Sequence, residues 1–148
     1  MAYWLFKSEP GTWSWADQLA ADPPCVEWDG VRNYQARNMM RQMRLGDLGF
    51  FYHSVKEKRV VGVVEVCREA HPDSTTDDPR WECVDVQARA TLPRPVTLEA
   101  IKAEPALADM ALLRQSRLSV QPVRPEEWAL ICRMGGLDPE TLAPLGAG

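Results

Sequence analysis

The sequence predicts a single mixed α/β domain, with five or six uneven strands in a barrel-like sheet and short helices around them. Three observations lead there. At 148 residues with 45% hydrophobic residues, the chain can bury one sizeable core and is too short for two ordinary domains. Apolar runs of strand length are separated by Gly, Pro and Asp turns. Helix-start signals fall between the first strands and again near the end.

Residues 3–7 (YWLFK) read as an aromatic-rich strand ended by Pro10-Gly11. Thr12 or Ser14 caps a short helix through Ala21, with Ser14 and Asp17 at capping-box spacing, and Pro23-Pro24 stops it. Residues 25–28 form a short extended segment before the Asp29-Gly30 turn. Asn33 caps a helix whose Tyr34, Met39, Met40 and Met43 alternate with polar positions. Residues 48–54 and 59–67 are strands joined by a polar hairpin at Lys56 to Lys58. Residues 81–91 alternate, with Cys83, Asp85 and Gln87 on one face. Pro93 and Pro95 end that strand, and Thr97 caps a helix to Ala103. Residues 106–113 make a further helical turn, 117–121 a strand, and Pro125-Glu126-Glu127 opens a helix that stops at Gly135-Gly136. The tail after Leu137 is expected on the surface.

The net charge of −4 argues against a protein that coats nucleic acid by bulk electrostatics. Residues 31–60 nevertheless carry seven Lys/Arg against two Asp/Glu, which suits a limited phosphate contact. The amino terminus lacks the basic and long apolar regions of a secretory leader, so an intracellular, cytoplasmic chain is expected. The four cysteines contain no C-x-x-C pair and read as buried, reduced thiols. With only two histidines besides, a zinc cluster has little support, and neither a metal nor any other cofactor is expected.

No nucleophile elbow, Walker loop or dinucleotide fingerprint is present, so the expected protein is not an enzyme. Aromatic side chains interleaved with arginine form a stronger signal. Of six tryptophans, Trp13, Trp15 and Trp128 read as core anchors, whereas Trp28 and Trp81 sit at a turn and a strand edge where an indole can stack on a base. Ser8, Asn33, Gln35, Asn38 and Ser54 offer groups that read a base edge, although Asn33 is equally a helix cap and Ser54 a turn residue. Arg32, Arg37 and Arg41 are candidate phosphate ligands, with Arg41 and Arg44 better read as a solvated face.

The strings YWLFKSEP (3–10), WDGVRNYQARN (28–38), GDLGFFYHS (46–54) and VVGVVEV (60–66) closely resemble the signature stretches of EVE-domain proteins, the thymocyte nuclear protein family of the PUA-like superfamily. PRWECVDV, RLSV and PEEW fit the same layout, so the resemblance covers residues 2–136 of one domain, leaving 137–148 as a tail. It implies a PUA-like sheet with helices packed around it, and a likeness to YTH domains, which grip a methylated adenine of RNA. By that resemblance Lys7 and Ser8 line a pocket mouth, with Trp28 one wall and Trp81 a second. Asn33 and Tyr34 hold the polar edge of a base, while Phe51, His53 and Ser54 complete the floor. Arg32 and Arg37 meet phosphate or brace the pocket. The implied partner is nucleic acid carrying a modified base, DNA before RNA. A nucleic-acid or nucleotide hydrolase and a sensor of a free nucleoside are the competing readings.

Overall fold

The computed structural model of the protein describes residues 1–146. The chain runs β1 (Tyr3–Ser8), α1 (Trp15–Ala20), β2 (Val26–Glu27), α2 (Tyr34–Gln42), β3 (Leu48–His53), β4 (Arg59–Pro72) and β5 (Glu82–Thr97). It continues through α3 (Leu98–Ala103), a single 3-10 turn (Pro105–Leu107), α4 (Ala111–Arg114), β6 (Val120–Val123) and α5 (Pro125–Met134). The strands form one six-stranded sheet in the order β2-β5-β4-β3-β1-β6, which stays open. Only the β1–β3 pair is parallel; the other pairings are antiparallel. No described helix is long and apolar enough to cross a membrane.

The helix starts follow from local hydrogen bonding. Ser14 Oγ accepts from the Asp17 N–H while the Asp17 carboxylate accepts from the Ser14 N–H, closing a capping box on α1. Asn33 Oδ1 and Thr97 Oγ1 take the corresponding N–H groups of α2 and α3. Gly30 sits at φ +79°, the left-handed conformation its turn requires.

Strand alternation then divides the apolar residues between two cores. Leu5 and Phe50 point to one face, where Ile101, Leu107, Trp128 and Ile131 cover them. Their neighbours Phe6 and Phe51 point to the other, against Trp15, Trp28, Met40 and Val64. Because helices and loops cover both faces, every residue of β3 is buried. Close packing is tightest at Gly62, where an added Cβ would overlap the Trp15 ring. Gly62→Ala is therefore expected to lower the unfolding free energy by about 1–3 kcal/mol, read from a shifted urea midpoint at constant slope. An unshifted midpoint would mean that Trp15 moves freely.

Four expectations need correction. First, β5 does not end at Pro93. The Gly62↔Thr91 and Val60↔Val96 pairs leave residues 92–95 outside the ladder, so both prolines fall where no N–H is needed. Second, β6 begins at Val120, later than expected from the RLSVQ run. Third, the tail folds back: Leu137 bridges Pro144, and Leu137 and Leu142 are buried in the helical core. Fourth, Cys25, just before β2, and Cys67 of β4 form a disulfide with their Cα atoms 6.1 Å apart. Cys83 and Cys132 are free and buried, as read from the sequence.

Candidate functional site

Where β1 ends, the chain turns past the loop before α1 and faces the loop after β2. A cavity of about 510 Å³ opens between them. Lys7, Ser8 and Glu9 form one side, Thr12 and Trp13 the second, and Val26 to Arg32 the third, with Ser119 at the rim. Such a volume lies within the range of about 300–1,000 Å³ typical of small-molecule sites.

Each wall is held by the backbone around it. The Ser8 hydroxyl donates to the Trp13 carbonyl and the Trp13 indole N–H donates to Gln18 Oε1, fixing the loop against α1. The Trp28 N–H donates to the Val84 carbonyl, extending β2 along β5. Trp28 packs edge-on against Phe6 and Phe51 at ring separations of 5.1 and 5.6 Å. It is only 8% exposed, so it is a core residue that also borders the cavity. The expectation that Trp28 lies outside the core is thus corrected. Both roles come from one ring, because the indole is large enough to cover Phe51 and still reach the opening.

The loop after Trp28 is braced from the turn that follows β4. The Gly30 N–H and the Arg32 guanidinium both donate to Asp73 Oδ2, at 2.9 and 3.1 Å, and Arg32 also reaches Thr75 Oγ1. Burial works to raise the Asp73 pKa, but these bonds together with those from Thr75 outweigh it and hold it at about 2. Arg32 lies over Trp81 at 5.5 Å, Trp81 stacks on Tyr34 at 4.9 Å, and Arg37 lies over Tyr34 at 4.9 Å. This stack of two rings capped by a guanidinium at each end ties the start of α2 to the start of β5. Arg37 further donates to the Arg80 carbonyl and to Asn38 Oδ1. Arg32 and Arg37 are thus both engaged with neighbouring groups in this region.

Of the residues expected at the pocket, the structure brings Lys7, Ser8, Trp28 and Arg32 to the cavity and leaves the others away from its lining. Phe51 lies wholly buried beneath Trp28. His53 is buried with Nε2 accepting from the Trp15 N–H, and its Nδ1 faces Glu57 at 3.3 Å without a well-directed hydrogen bond. Ser54 is engaged through its backbone N–H, which donates to the Ser8 carbonyl. Asn33 is spent on its cap and borders a shallower depression of about 310 Å³ beside Arg114 and Arg117. Tyr34 and Trp81 stack on each other. Trp13, read as a core anchor on α1, instead precedes the helix and supplies the second indole at the cavity. Trp13, Asp29 and Ser119 were not legible as site residues, since nothing in their spacing marks them.

The electrostatics of the lining are mixed. Lys7 Nζ donates to the Ser116 carbonyl, and burial lowers its pKa from the ordinary lysine value. Asp29 is raised, first by burial and then by the negative charges of Asp73 and Glu27, against the opposing pull of Arg32. Among the described residues its carboxylate has no hydrogen-bond partner, so it is an acceptor facing open space.

An open sheet flanked on both faces by helices, with its cavity at the end of β1, defines a domain of the PUA-like class. The chain belongs to the EVE-domain family, whose pattern matches residues 2–134. Mouse thymocyte nuclear protein 1 is 38% identical over 93% of this chain and 75% of its own length. Curated relatives are longer, and the chain spans from 66% to 76% of them. A solved protein of Agrobacterium tumefaciens is 54% identical with a TM-score of 0.93, covering 97% of this chain and 99% of that one. Human THYN1, solved in complex with 5-methylcytosine containing DNA, is 36% identical with a TM-score of 0.85, covering 91% and 98%. The expected likeness to YTH domains holds for the fold: that of Zygosaccharomyces rouxii matches with a TM-score of 0.54 at 18% identity, covering 90% and 86%.

Proposed function

We propose that the protein is a non-catalytic reader that holds one modified cytosine of DNA, turned out of its strand, in the cavity between Trp13 and Trp28. The observation that carries this reading is the pairing of two indoles with an unpartnered acceptor, Asp29, and a cation, Lys7, around one opening. Membership of a family that includes a protein solved with 5-methylcytosine DNA supports it. A carboxylate accepts from the exocyclic amine of cytosine, which thymine lacks. Turning a base out costs a few kcal/mol, least in a single strand, and stacking returns about 1–3 kcal/mol per base. A methyl group adds about 0.8 kcal/mol of apolar contact, so discrimination of roughly fourfold is expected. Neither a histidine nor a cysteine borders the cavity among the described residues, so a hydrolase there would have to use a carboxylate such as Asp29 as its base.

The test is a titration of single-stranded DNA carrying one 5-methylcytosine, cytosine, thymine or abasic position, repeated across salt concentrations. The expected order is methylated cytosine, then cytosine, then thymine, with affinity falling as salt rises. Asp29→Asn should erase the preference for cytosine over thymine. Equal affinity for the abasic strand would overturn the reading, and a flat salt response with full competition by free nucleoside would favour a small-molecule sensor.

A further inference from the structure

Behind the cavity wall, three strands converge on a cluster with no part in the site above, save that Glu27 borders both. Glu27 of β2 is the register partner of Asp85, and His71 of β4 is the partner of Cys83. Cys83 and Asp85 stand two residues apart on β5, so all four side chains share one face of the sheet. A carboxylate oxygen of Glu27, a ring nitrogen of His71 and Cys83 Sγ lie within 4.8 Å of one another. Asp85 Oδ1 is 2.5 Å from His71 Nε2, and Cys83 Sγ is 3.5 Å from Glu27 Oε1.

The orientation of His71 adds an independent sign. Its Nδ1 lies 2.9 Å from the Pro72 carbonyl, a contact that requires the proton on Nδ1. Nε2 meets Asp85 Oδ1 at hydrogen-bond distance, and a metal ion would take the place of the proton that this contact shares. A ring that donates Nδ1–H to a backbone carbonyl while its Nε2 faces thiol and carboxylates has the arrangement usual for a metal ligand. Around it, Ser74 fixes Glu27 through both its N–H and its hydroxyl, each at 2.7 Å. Cys83 has no exposed surface, and its Sγ stands beside the Glu27 carboxylate.

We infer that Glu27, His71, Cys83 and Asp85 form a binding site for a zinc ion. Sulfur and imidazole nitrogen exclude the hard cations calcium and magnesium, and one S, one N and two O donors suit a tetrahedral zinc centre. Bond lengths of about 2.0–2.3 Å place tetrahedral ligand atoms more than about 3 Å apart, so the ion would push His71 Nε2 and Asp85 Oδ1 away from their present contact while Glu27 and Cys83 close around it. As the zinc–sulfur bond forms, the S–H bond breaks and its proton passes to solvent. The ion would pin the two-residue strand β2, and with it Trp28, to β4 and β5. This inference does not depend on what the cavity binds.

The test uses the tag-free chain with its Cys25–Cys67 disulfide intact. After treatment with a chelator, the protein is reloaded with zinc, passed through gel filtration and assayed for metal, and in parallel titrated with cobalt(II). One zinc retained per chain is expected, with a raised melting temperature and a cobalt–thiolate charge-transfer band. Cys83→Ser should lose the band and His71→Ala the retained zinc. Absence of the cobalt band from the unaltered chain would overturn the site even if the variants failed to fold. Persistence of the band in Cys83→Ser would also overturn it.

Discussion

Trp28→Ala is expected to lower the unfolding free energy by about 3–5 kcal/mol and to remove nucleobase binding. The two losses share one cause. The indole covers Phe6 and Phe51 from outside, so truncation leaves a void over fully buried rings and also strips a wall from the cavity. Trp28→Phe separates the effects: a smaller ring keeps most of the contact with Phe6 and Phe51 but reaches less far into the opening. Its stability should fall by less than half as much, while affinity for a methylated oligonucleotide still drops. Urea unfolding and oligonucleotide titration on the two variants check this. An alanine variant as stable as the parent would show that Trp28 does not support the core.

Asp73→Asn is expected to cost about 2 kcal/mol at neutral pH and almost nothing at pH 2. The carboxylate is 2% exposed and accepts from Gly30, Arg32 and Thr75, so its folded pKa of about 2 lies below the ordinary 3.8. A depressed folded pKa stabilises the native state above the unfolded value and loses that contribution as pH falls through the folded one. The shift is worth about 2 kcal/mol, fully present above pH 3.8 and gone near pH 2. Asp78 is depressed as well, but it is common to both proteins, so the difference between parent and variant isolates Asp73. Parallel stability curves from pH 7 to pH 2 would refute the assignment. Because Asp73 also holds Gly30 and Arg32, the variant should loosen the third wall of the cavity.

The helices were largely legible because their signals are local. Ser14 with Asp17, Asn33 with Ala36 and Thr97 with Ala100 each close a hydrogen bond three residues apart, which spacing alone reveals. Period-two alternation likewise placed Cys83 and Asp85 on one face. The β5 course past Pro93 and Pro95 was hidden, because whether a proline breaks a strand depends on the partner strand skipping those positions.

Sequence by itself determined the family, the strand and helix order, and four of the residues at the cavity, Lys7, Ser8, Trp28 and Arg32. Tertiary structure alone decided that Phe51 and His53 are buried, that Trp13 and not Trp81 borders the cavity, and that Cys25 joins Cys67. It also brought Glu27, His71 and Cys83 together from distant segments. The reason is physical: caps and alternation are set by neighbours a few residues away, whereas burial and convergence depend on which strands pair and what covers each face of the sheet.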